Sequence, residues 1–125
     1  MSDVKSYVVV DGQTLDTADY ALPQNRYFTD AWALSEDENH NQIVVIDVEK
    51  AKEVWKRRMR DARAPLMTKL DADYFRAMEE GDKAKQKTIA DTKKLLRDVT
   101  ELPELANAKS VEEIEAVWPD YLGSK

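Results

Sequence analysis

Arg60-Asp61-Ala62-Arg63-Ala64-Pro65-Leu66, Leu70-Asp71, Glu80-Gly81-Asp82 and Leu96-Arg97-Asp98-Val99 decide the fold. They read as a charged helical hairpin, with a proline near one end and a glycine at the bend. Working back from there, Asp47 is a good helix N-cap and Glu49 suits the positive end of the helix dipole. Val48, Ala51, Trp55, Met59 and Ala62 recur every three or four residues, which makes one apolar stripe on a basic helix. Pro65 lacks a backbone donor and clashes one turn back. Either a second helix starts there, or one long helix bends. Leu66, Leu70, Tyr74, Ala77 and Met78 continue the stripe. Gly81 suits the left-handed position that ends a helix, and Asp82 can cap the next one.

That next helix is expected over 83–99, antiparallel to the first, with Ala84, Ile89, Thr92, Leu95, Leu96 and Val99 on its buried side. Pro103 follows its end. Ser110 and Glu113 form a capping box for a short last helix. Val111, Ile114, Val117 and Trp118 are its apolar face, and Pro119 stops it.

The first third reads differently. Tyr7-Val8-Val9-Val10 is a β-branched and aromatic run ended by Asp11-Gly12, a strand running into a turn. Ile43-Val44-Val45-Ile46 is a second such run. Two strands alone are marginal in water, so they need cover from a helix, more strands or another subunit. The stretch between them is long and polar, and 36–42 is its candidate hinge. The expected fold class is therefore α+β: a short N-terminal β element over 1–46, then an antiparallel helical hairpin and a short C-terminal helix over 47–125. The whole forms one compact domain, as 125 residues allow.

Composition removes several chemistries. There are no cysteines, so disulfides, thiolate nucleophiles and cysteine zinc sites are excluded. No apolar run approaches the ~20 residues that cross a bilayer, so no membrane partner is expected. Met1-Ser2-Asp3-Val4-Lys5 lacks the basic and apolar pattern of a secretory leader, so cytoplasmic synthesis is expected. The only glycines are Gly12, Gly81 and Gly123, too far apart to cradle a phosphate. His40, the single histidine, sits in the polar run Glu38-Asn39-His40-Asn41 and reads as a solvated loop residue. Asp71 and Asp73 are two apart and do not share a helix face. No catalytic, cofactor or metal site is expected, and the chain reads as non-enzymatic.

Charge is segregated within a net −6. Residues 1–47 carry −7, residues 48–70 carry +5, and residues 101–125 carry −4. Lys50, Lys52, Lys56, Arg57, Arg58, Arg60 and Arg63 make up most of the basic middle. A solvated helix face is the simplest reading of it. A nucleic-acid surface is the sharper one, with Trp55 stacking on a base. The sequence pI of 4.9 argues against that, as does the place of Trp55 on the apolar stripe. An acidic partner surface suits the run better, for instance the acidic head of a neighbouring copy. Tyr27, Phe28 and Trp32 are candidate exposed anchors, since aromatics concentrate at interface hot spots. The alternative is that they close the β element against the helices. The candidate partner-binding set is Tyr27, Phe28, Trp32, Lys56, Arg57, Arg60 and Arg63.

Arg26-Tyr27-Phe28-Thr29-Asp30-Ala31-Trp32, Ile46-Asp47-Val48-Glu49-Lys50-Ala51-Lys52-Glu53, Arg58-Met59-Arg60-Asp61-Ala62-Arg63, Leu96-Arg97-Asp98-Val99 and Trp118-Pro119 occur in this order. The arrangement, over about residues 26–122, resembles short bacteriophage tail proteins of the tail fibre assembly or tail assembly chaperone group. The resemblance brings no catalytic residues. It implies a virion tail setting and a phage tail or tail fibre protein as partner. Two helices with one apolar stripe each leave limited core, so further copies or a fibre are expected to supply the missing burial, and homo-oligomers are expected. The acidic, strand-bearing head departs from that group, which leaves room for a component that stays in the particle. The expected function is a tail component near the fibre or tip. The alternatives are an assembly chaperone absent from the mature particle, and a small nucleic-acid-binding or regulatory protein using helix 48–63.

Overall fold

The computed structural model describes residues 6–25 and 27–125. Arg26 of the aromatic segment and the leader reading of Met1–Lys5 lie outside the described residues. The chain divides into two compact units, Met1–Val54 and Trp55–Lys125.

The first unit is two β-hairpins. β1 (Tyr7–Val10) pairs antiparallel with β2 (Gln13–Asp16), Val10 facing Gln13. The two residues between them, Asp11 and Gly12, have φ of 49° and 78°. Positive φ at both positions suits the mirror-image turn whose twist matches the flanking strands, and Asp-Gly is well fitted to it. β3 (Trp32–Glu36) pairs with β4 (Gln42–Ile46), Trp32 facing Ile46. The two β-branched runs are thus both strands, but they do not pair with each other. Each pairs with a strand whose sequence is a poor advertisement for one: Gln13-Thr14-Leu15-Asp16 has a single large apolar residue. The candidate hinge at 36–42 is the turn of the second hairpin. Asp37 Oδ1 accepts from the amides of Asn39 and Asn41, both at 2.9 Å, and His40 adopts a φ of 62°.

Alternation along the strands sends Val8 and Val10 inward and leaves Tyr7 and Val9 exposed. Val10, Leu15 and Val44 form a small core, with Val8, Tyr20, Leu22, Trp32 and Leu34 packed against it. Asp11 ties the hairpins together. Its carboxylate accepts from the Leu34 amide at 2.9 Å and from Lys50 Nζ at 3.1 Å. Those two bonds, the amide first, lower its pKa below the usual aspartate value.

α1 (Val48–Glu79) begins as expected: Asp47 accepts from the Lys50 amide at 3.1 Å. It then runs 32 residues without a break through Pro65, so one helix continues where a new helix was the other option. Pro65 and Asp61, whose carbonyl loses its partner, are both exposed, and water can take the unmade bond.

The second unit holds the rest of α1 and everything after it. Trp55, Met59 and Ala77 are fully buried on the predicted stripe. At the bend, Gly81 has a φ of 68° and the Asp82 amide donates to the Ala77 carbonyl at 2.9 Å. Asp82 caps α2 (Lys83–Arg97) through the Lys85 amide at 3.0 Å. Cross-links along the hairpin confirm its antiparallel sense. Gln86 reaches the Ala77 carbonyl, Lys93 pairs with Asp71, and Arg63 donates to the carbonyls of Leu96 and Arg97 at 3.2 and 3.0 Å.

α2 is shorter than expected and its buried side is narrower. Ile89 and Leu96 are buried, Ala84 is exposed, and Leu95 is 52% exposed. The chain then turns through a 3₁₀ segment, Val99–Glu101, into α3 (Pro103–Ala106) and α4 (Val111–Ala116). Ser110 caps α4 by accepting from the Glu113 amide at 3.2 Å, and the Glu113 carboxylate accepts from the Lys109 amide. Val99, Leu105, Ile114 and Leu122 are the buried side of this C-terminal part.

Candidate functional site: an apolar groove with an acidic lip

Two short helices cannot bury all their apolar surface. α3 has four residues and α4 has six, about one turn and under two. What they leave open is a groove of about 790 Å³ in the second unit. Its walls are Leu95 from the last turn of α2, Leu102 at the start of α3, and Ala116, Val117, Trp118 and Pro119 after the body of α4. That volume lies in the range of ligand and peptide pockets.

The Trp118 wall is held firmly. Its ring meets the edge of Trp55 with centroids 5.4 Å apart and planes at 66°. Its indole N–H donates to the Gly123 carbonyl at 2.8 Å. Trp55, fully buried, donates in turn to the Val117 carbonyl at 2.8 Å. A four-residue lever therefore holds the groove from behind: Trp55, Val117, Trp118 and Gly123.

The polar lining has one sign. Glu104 and Glu113 line the groove, and no lysine or arginine among the described residues does. Tyr121, also at the rim, has its hydroxyl pKa raised, by burial first and then by the charges of Asp98 and Glu104. The carboxylates thus impose a negative potential inside the groove. The lining offers apolar contact, one tyrosine hydroxyl, one amide and two carboxylates, a set suited to binding.

The sequence-derived candidates fall elsewhere. Phe28 is fully buried and is not available as a surface anchor. Tyr27 is half-buried, its amide held by Asn25 Oδ1 at 2.9 Å. Trp32 opens β3 and packs against the hairpin core, its indole N–H buried and without an acceptor among the described residues. Of the three aromatics, Trp32 is the one that packs against the hairpin core. Among the basic candidates, Arg57 and Arg60 are exposed and Lys56 is half-buried. Arg63 serves the hairpin by satisfying the end of α2. The aromatic candidates lie in the first compact unit and the basic candidates in the second.

His40 is exposed, its Nδ1 3.4 Å from Glu36. No group of three or more metal-binding side chains occurs among the described residues, and no described helix is long and apolar enough to cross a membrane. Sequence reading missed the groove because its walls come from three separate short segments. The one local signal was a pair of prolines, Pro103 and Pro119, each preceded by a large apolar residue and bracketing helices too short to cover themselves. No protein-family model matches the chain, and no curated protein or solved structure matches it either.

Proposed function

We propose that the protein is a non-enzymatic bacteriophage tail component, associated with the tail fibre or tail tip, that works by docking a partner. The groove over residues 95–121 is the observation that carries the docking part: a preformed apolar surface backed by two tryptophans in edge-to-face contact. The tail setting rests on the resemblance of residues 26–122 to short phage tail proteins. The groove replaces the aromatic segment as the docking surface, because Phe28 is buried and Trp32 packs on the hairpin core.

The test is mass spectrometry of purified mature particles from the producing phage, with wild type and Ala116→Glu compared. Ala116 lines the groove but is exposed, so the added carboxylate blocks the groove with little effect on the fold. Wild type is expected in particles at stoichiometric copy number, and Ala116→Glu is expected to be lost from them. Presence in infected lysate but not in particles moves the role to a fibre assembly chaperone that leaves after assembly. Retention of Ala116→Glu at full copy number overturns docking through the groove.

A further inference from the structure

We propose that the occupant of the groove is a cationic amphipathic helix supplied by a different protein chain. This rests on the docking reading above and adds the chemistry of the partner.

Charge is the first argument. Among the described residues, two carboxylates and no cation line the groove, and residues 101–125 carry six acidic and two basic side chains. An acidic ligand is repelled at both walls. A ligand with lysine or arginine beside its apolar anchors meets Glu104 at the lip.

Backbone accounting is the second. A peptide that binds by adding a strand needs a strand edge to receive its amides and carbonyls. The groove has none, being built from helices and their caps. The carbonyls beside it are already engaged: Leu102 by Leu105 and Ala106, Leu105 by Ala108, Ile114 by Val117, and Val117 by Trp55. A helix arrives with its own backbone bonds made and presents side chains at i, i+3, i+4 and i+7.

The third argument favours a different chain over a second copy of this one. Its basic segment 48–63 has no large apolar side chain among those strongly exposed, so it offers charge without an anchor. Phe75 and Met78, 67% and 52% exposed, offer an anchor, but over residues 71–82 Asp71, Asp73, Glu79, Glu80 and Asp82 outnumber the single cation Arg76. Those carboxylates oppose the acidic lip.

The experiment uses the full-length protein and two fluorescent helical peptides with the same apolar face, one flanked by lysines and one by glutamates. Anisotropy is read at low and high salt. The lysine peptide is expected to bind, to weaken as salt rises, and to bind about tenfold better than the glutamate peptide. Glu104→Gln is expected to narrow that preference, and Ala116→Arg to abolish binding. Equal binding of both peptides overturns the cationic inference while leaving docking intact. Lysine-peptide binding that survives Ala116→Arg removes the groove as the site. Binding of neither peptide overturns the inference, and particle incorporation then judges the docking reading separately. Self-association of the protein that Ala116→Arg abolishes makes a second copy the occupant and also overturns it.

Discussion

Arg63 illustrates how a side chain changes meaning once its neighbours are known. In sequence it is the last member of a basic run and a candidate for contacting a partner. In the fold it reaches across the hairpin to the carbonyls of Leu96 and Arg97. These belong to the orphan acceptors at the end of α2, where a cation also complements the helix dipole. Arg63→Ala is expected to lower stability by about 1–2 kcal/mol, read as a lower urea midpoint with unchanged slope. Arg60→Ala, one turn earlier and exposed, is the control and should be nearly neutral. Trp55 was legible because its stripe repeats every three or four residues. Phe28 was not, because the segment around it has no period to tell an inward position from an outward one.

At the scale of the element, α1 tolerates a proline that local rules say should break it. The helix continues because both ends of the problem are at the surface and because burial of Trp55, Met59 and Ala77 holds the turns on either side. The proline still costs one backbone bond. Pro65→Ala is expected to raise stability, by up to about 3 kcal/mol, measured by urea unfolding followed by tryptophan fluorescence. No gain would mean that the rigid ring is offsetting its cost in the unfolded state. The helix starts were readable, since Asp47, Asp82 and Ser110 each accept the amide three residues on. The strands were half readable. β1 and β4 announce themselves by composition, whereas β2 and β3 exist because each hairpin turn delivers them to a partner.

For the whole molecule, two titrations add pH dependence to stability from opposite sides. Asp11 has a lowered pKa in the fold. Its contribution is therefore present above the ordinary aspartate value, near 4, and is lost as pH falls through the folded value. Tyr121 has a raised pKa. Its contribution is intact below about 10 and is lost as pH rises through the folded value. Thermal midpoints measured from acid to alkaline pH should fall at both ends. Asp11→Asn should flatten the acid limb and lower the neutral plateau, and Tyr121→Phe should flatten the alkaline limb only.

The chain by itself determined the helical hairpin, its caps and bend, the inward stripe through Trp55, the two β-branched strands and the α+β class. Each of these is written in residues within about one or two turns of each other, where period, capping chemistry and positive-φ turns act locally. Tertiary structure alone decided strand partners, the burial of Phe28, the role of Arg63 and the groove. Those depend on which distant segments meet, and no short-range pattern records that Leu95, Leu102 and Trp118 become neighbours. The candidate site belongs to the second class because its walls are separated in sequence and its acidic lip acquires meaning only beside an apolar floor.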